Sequence, residues 1–355
     1  MKTGKTLTEL AAEITRQAES KRDFIAPSGQ LTMVIEREQG APVTAMSIGT
    51  QGVFGINEIA HEQIATRLGV PNKYYERMNV EAPELLATNV NHWLHTKNEK
   101  RMVRTLDGKQ RAFLSDRYRA LDYFDTAETV LPIIQEMGCR VESAELTERR
   151  LYVKAVTERM TFEVKKGDVV QAGIVISNSE VGLGSVKVEP MIFRLVCLNG
   201  MIAADASIRK YHVGRGHDAG DLAEEFFRSE TRVADDRAFW MKCQDVVRGA
   251  FNKEVFERLA QRMTDATKDA IEADVVDVVE VVQKQFQLTD KERSGVLTSL
   301  IKNGDLSRYG LLNAMTQAAQ SVDSYDRSTE MERMGGQILE LPKRDWELIA
   351  NASKN

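Results

Sequence analysis

Residues 101–122 read RMVRTLDGKQRAFLSDRYRALD, and the fold is best read outward from them. Asp107-Gly108 sits between two alternating runs, a pairing that favours a two-residue hairpin turn. The turn predicts the register: Leu106 opposite Lys109, Arg104 opposite Arg111, Met102 opposite Phe113. Those six would share one face, while Val103, Ala112 and Leu114 share the other, a plainly apolar core face. The first face then gathers Arg104, Lys109 and Arg111 beside an exposed aromatic. Like charges directly opposite one another destabilise a sheet. A sequence that tolerates this predicts an anionic partner, with nucleic acid foremost.

The charge continues past the second strand. Arg117, Tyr118 and Arg119 place an aromatic between two guanidinium groups, where a base can stack while the arginines hold flanking phosphates. With Arg101, Arg104, Lys109, Arg111 and Phe113 they outline a single-strand groove. Residues 97–119 hold 8 basic against 3 acidic side chains. The competing reading pairs Arg117 with Asp116 or Asp122 and packs Tyr118 in the core.

Around the hairpin the chain reads as α+β. A helix is expected over 6–20, with strands at 31–37 and 43–48. Asn57 caps a helix closed by Gly69, and Pro71 and Pro83 each start another. A further helix starts at Asp125 or Thr126 and ends at Gly138, with Pro132 marking a kink or a delayed start. Strands follow at 140–146, 151–156, 169–176 and 186–198. From about Asp221 the pattern is almost wholly helical, with a capping box at Thr289 and Glu292 and a cap at Asp305 or Ser307. The expectation is an antiparallel sheet with packed helices in the N-terminal two-thirds, followed by an all-helical C-terminal part. The glycine-rich run 213–220 sets the boundary, giving domains 1–215 and 216–355.

The 355 residues carry a net charge of −5 and 42% hydrophobic side chains, ordinary for globular domains. The charge is uneven: 20 Lys+Arg against 16 Asp+Glu over 91–215, but 19 against 26 over 216–355. That suits a binding surface in the middle and an acidic tail for self-association or partner binding. Cys139, Cys197 and Cys243 show no CxxC spacing and read as reduced thiols. An apolar leader and a membrane-spanning run are both missing from the pattern, so the expected setting is the cytoplasm.

Other motifs are weaker. Gln63–Met78 has helix-turn-helix spacing, with Ile64, Leu68, Val70, Tyr75 and Met78 inward and Asn72, Lys73, Tyr74, Glu76 and Arg77 outward. His92 and His95 share a helix side but lack a third ligand, so no metal is expected. Ser177–Ser185, SNSEVGLGS, offers glycines and hydroxyls that could cradle phosphate, although a long hairpin loop is the simpler account. No hydrolytic arrangement is present, and no cofactor is expected.

Three segments carry a family resemblance: FLSDRYRALD at 113–122, VGLGSVKVEPMIFRLVCLNGM at 181–201 and DLSRYGLLNAMTQAAQSVDSYDRSTEMERMGG at 305–336. Together they resemble phage- and plasmid-encoded proteins grouped as a domain of unknown function, across about residues 25–345. The resemblance implies a mobile-element setting beside replication and recombination, and it supplies no catalytic residues. In fold alone, the middle region is similar to the single-strand annealing proteins of recombination. The leading expectation is thus a non-enzymatic, oligomeric single-stranded DNA-binding protein. The alternatives are a duplex-binding regulator acting through 63–78 and an enzyme acting on nucleotides near 177–185.

Overall fold

The computed structural model describes residues 1–96, 99–118, 121–184, 186–203, 212–213 and 229–352. It is an α+β protein with two six-stranded sheets and a run of helices at its C-terminal end. By compactness it divides into two units. One comprises residues 11–124 with 179–184; the other comprises 1–10, 125–178 and 185–355. This differs from the expected 1–215 and 216–355: the C-terminal helices share a unit with the second sheet. Of the presumed linker, residues 214–220 lie outside the described residues.

In the unit of 11–124 the strands are β1 (Arg22–Pro27), β2 (Leu31–Glu38), β3 (Ala41–Ile48), β4 (Val53–Ile56), β5 (Lys100–Leu106) and β6 (Lys109–Ser115). Their order is β1-β5-β6-β4-β3-β2, so the hairpin β5–β6 sits inside the sheet, with β6 parallel to β4. Three helices lie between β4 and β5: α1 (Glu58–Leu68), α2 (Asn72–Glu81) and α3 (Pro83–Thr96). Asn57 accepts a hydrogen bond from the Ala60 N–H, satisfying one of the orphan donors at the first helix start. Gly69, at φ 73°, ends that helix in the left-handed region where a side chain is strained. Ile64, Tyr75, Met78, Leu86, Val90 and Leu94 then pack on Leu31, Met33, Met46, Val103 and Phe113.

The expected hairpin turn forms, with φ 51° at Asp107 and 74° at Gly108. The register follows expectation at Leu106–Lys109 and Thr105–Gln110. Beyond these, Arg104 pairs Ala112 instead of Arg111. Arg111 is therefore the extra residue of a β-bulge, and bulges re-aim side chains. Every later pair moves by one: Val103 faces Phe113 and Met102 faces Leu114. The two faces exchange partners as a result. Val103 and Phe113 enter the helix-covered core, while Met102, Ala112 and Leu114 pack with Val181 and Leu183 on the opposite face.

In the other unit a meander runs β7 (Arg140–Leu146), β8 (Leu151–Lys165), β9 (Asp168–Asn178), β10 (Val186–Arg194) and β11 (Asn199–Ile202), and the short β12 (His212–Val213) pairs with β10 as the sixth strand. Strand β8 is longer than its apolar run, since Glu158–Lys165 extends the β8–β9 hairpin. The expected strand 186–198 stops at Arg194 and turns back at Leu198, whose φ is 50°. The apolar faces of helices Lys253–Ala266, Val275–Phe286, Arg308–Ala318 and Tyr325–Glu340 bury this unit's main core. The capping box at Thr289 and Glu292 and the Ser307 cap form as expected.

Candidate functional site

The arginines expected to form an exposed groove are turned inward. Arg104 is 2% exposed and Arg111 6%. The Arg104 guanidinium donates to Asp23 Oδ1 at 2.8 Å, Asp122 Oδ1 at 2.9 Å and the Glu180 carbonyl at 2.8 Å. Arg111 donates to Glu180 Oε2 at 3.0 Å and lies over the Tyr123 ring, 5.7 Å from its centroid. Lys21 adds a third cation, pairing with Asp122 and, at 3.6 Å, with Glu180. Three cations thus meet three carboxylates, and the cluster has no formal charge left to draw a phosphate. Burial opposes the charge on Arg104, but the bonds to Asp23 and Asp122 outweigh it and raise its pKa. Burial also pushes Asp122 up, against which Lys21 and Arg104 hold it below the usual carboxylate range.

The rest of the expected groove is similarly dispersed. Phe113 is fully buried and unavailable for base stacking. Tyr118 is partly buried, its hydroxyl donating to the Ser179 carbonyl at 3.2 Å. Arg101 pairs with Glu99 and lies 6.0 Å from the Phe113 ring centroid. Lys109 and Arg117 are exposed, and Arg119 lies outside the described residues. The structure therefore does not bring these residues together on one open surface. The physical reason is twofold: the bulge re-aims Arg111, and the loop 179–184 lays its own carboxylate against the basic face.

That loop is the 177–185 segment read as a phosphate cradle or a hairpin loop. Ser179, Glu180 and Val181 are all buried, and the Val181 carbonyl accepts from Gln63 Nε2 at 2.7 Å. Glu180 is the key residue that sequence reasoning missed. An acid in a polar loop has no local signature when its partners lie about seventy positions upstream.

A real recess lies between α1 and α2. Its volume is about 320 Å3, within the range of small-molecule sites. Ile56 and Ala65 give it an apolar wall, Asn72 contributes at its side, and Glu58, Glu62 and Glu76 stand around it. His61, Tyr75 and Asn79 complete the lining. The Thr44 hydroxyl donates to Asn79 Oδ1 at 2.8 Å, which commits its only proton. The longer 3.5 Å approach of His61 Nε2 to Thr44 then requires the ring N–H to donate. Nδ1 is left as an acceptor, 2.8 Å from the Tyr75 hydroxyl, which donates to it. The order is Tyr75 to His61 to Thr44 to Asn79. Burial lowers His61 to about 4 and pushes the Tyr75 phenol up, so both are neutral at pH 7.

The helix pair itself matches the spacing of 63–78. Ile64, Ala65, Tyr75 and Met78 are buried, whereas Asn72, Lys73, Tyr74, Glu76 and Arg77 are exposed. Arg77 is bonded to Glu81 at 2.8 Å. His95 Nε2 lies 3.0 Å from the Leu31 carbonyl, and the His92 ring stacks edge-on against Trp93. Among the described residues no group of three His, Cys, Asp or Glu is placed to hold a metal, and no helix is long and apolar enough to cross a membrane.

Residues 112–336 match the model of a family described as Domain of unknown function (DUF932), and the chain belongs to that family. The Glu180 loop lies inside the matched segment; the α1–α2 cleft precedes it. Neither the curated proteins nor the solved structures contain a match.

Proposed function

We propose that residues 11–124 with 179–184 form a binding module whose ligand, a small polar molecule, sits in the α1–α2 cleft. The carrying observation is the recess of about 320 Å3 lined by His61, Tyr75 and Asn79, which Thr44 behind them joins into one directed hydrogen-bonded chain. A neutral, pre-oriented polar floor beside an apolar wall favours recognition without reorganisation cost. Thr44 gives its proton to Asn79 and not to His61, and the Tyr75 hydroxyl that His61 accepts from belongs to a side chain only 1% exposed, so binding fits the geometry better than catalysis. The resemblance of segments 113–122, 181–201 and 305–336 to phage- and plasmid-encoded proteins supports a mobile-element setting.

The test is thermal denaturation of the full chain against a panel of small polar compounds, run on wild type and Glu76→Trp. Glu76 is exposed, so the substitution narrows the mouth without entering the core. Compounds that raise the wild-type Tm should fail to raise that of the variant. Equal shifts in both proteins, or none in either, would refute the reading.

A second reading is nucleic-acid contact through α2, favoured by the outward placement of Asn72, Lys73, Tyr74 and Arg77. It ranks below the first because approaching phosphates would meet Glu58, Glu62 and Glu76. Single-stranded DNA contact at the hairpin would have to rest on Arg101, Lys109 and Arg117, without Arg104, Arg111 or Phe113. Labelled single-stranded and duplex oligonucleotides at low salt, with Lys73→Ala and Arg77→Ala, distinguish these two: loss of duplex binding assigns α2, and unchanged binding excludes it.

A further inference from the structure

We infer that the ligand of the α1–α2 cleft is an organic cation, a guanidinium or amine of small-metabolite size; this rests on the cleft being the ligand site. All three charged side chains lining the cleft are carboxylates, those of Glu58, Glu62 and Glu76. Glu58 and Glu76 enter no ion pair among the described residues. That sets them apart from Asp23, Asp122 and Glu180, each consumed by an internal cation. Helix position explains Glu58, in the first turn of its helix, where the dipole favours an acid. It does not explain Glu62 or Glu76, which stand deeper in their helices.

The floor sharpens the argument. The relay leaves His61 without a charge and with both ring nitrogens engaged, so no cation in the lining offsets the carboxylates. The Asn79 oxygen is taken by Thr44, so the side-chain acceptors the lining offers are chiefly the carboxylates of Glu58, Glu62 and Glu76, with the Asn72 amide oxygen beside them. An anion entering would be repelled and a neutral donor would gain little. A guanidinium is weakly hydrated and presents its N–H groups in a plane suited to carboxylates. Ile56 and Ala65 offer contact for a short alkyl stem.

The experiment uses three probes of matched size and different charge: n-butylguanidinium, n-butylurea and butyrate. Each is titrated into the full chain with carbon-13-labelled histidine, following the His61 ring signal assigned by His61→Asn. The expected result is that butylguanidinium shifts the His61 signal and binds at least tenfold more tightly than butylurea, with butyrate silent. In Glu58→Gln with Glu76→Gln, both exposed positions, that preference should vanish while the fold is kept. Butylurea or butyrate binding as tightly as butylguanidinium would overturn the cation assignment and leave the cleft reading intact. No shift with any of the three would also overturn the cation assignment; the compound panel with Glu76→Trp then decides the cleft reading separately.

Discussion

Replacing Arg104 by Met removes a charge while keeping most of the side-chain volume, and it separates a structural arginine from a phosphate contact. Arg104 is 2% exposed and makes three bonds, two of them to carboxylates. Charge-assisted bonds contribute roughly 1.5–3 kcal/mol each, but the desolvation of the guanidinium is recovered on its removal. Asp23 and Asp122, with side chains 36% and 26% exposed, rehydrate in part. The buried Glu180 carbonyl loses a donor. The net cost should be about 3 kcal/mol, at the low end for breaking a buried pair. For a unit made of residues 11–124 and 179–184, an unfolding entropy near 2.1 cal/mol/K per residue converts this to a fall of roughly 12 °C in Tm. Calorimetry on the full chain reads the shift, and hydrogen exchange should show faster exchange at 179–184. The exposed Lys109→Met should stay within about 0.5 kcal/mol of wild type. A fall below about 0.5 kcal/mol for Arg104→Met, matching Lys109→Met, would refute the inward-facing cluster.

Three further outcomes follow from other sites. The folded pKa of His61, about 4, lies below its unfolded value near 6.5, so its contribution is full above pH 6.5 and is lost as pH falls towards 4. Denaturant midpoints should show a loss of up to about 3 kcal/mol over that window, and His61→Asn should flatten it. Lys154 and Glu332 form a fully buried pair at 2.5 Å; Lys154→Met should cost about 3–5 kcal/mol, while Lys154→Met with Glu332→Leu should recover most of it. Gly182 has φ 77°, and a Cβ there would stand 2.5 Å from Leu114 Cδ2, so Gly182→Ala should destabilise by roughly 1–3 kcal/mol in a denaturant titration.

Much of the fold was legible because its signals are local. Asp107-Gly108 specified its turn, Asn57 and Gly69 bounded a helix, and Thr289 with Glu292 formed a capping box. These features depend on residues within four positions of one another. The helix-turn-helix spacing likewise separated buried Tyr75 from exposed Tyr74. What stayed hidden was non-local. The bulge at Arg111 leaves the apolar alternation looking regular, yet it exchanges the hairpin's partners on both faces. Glu180 lies 76 positions from Arg104 and 69 from Arg111, beyond any pattern of spacing. The same holds for the cleft: His61 and Tyr75 are a helix apart, and Thr44, which fixes the ring orientation, belongs to a different strand.

The central claim is that the basic hairpin is closed by its own carboxylates and that ligand contact falls to the α1–α2 cleft. Hydrogen exchange of the full chain, recorded with n-butylguanidinium and separately with a single-stranded oligonucleotide, tests it most directly. The predicted result is slowed exchange across residues 58–79 with the cation and no slowing across 100–118 with either addition. Slowing across 100–118 on adding the oligonucleotide, with 58–79 unchanged in both experiments, would contradict it.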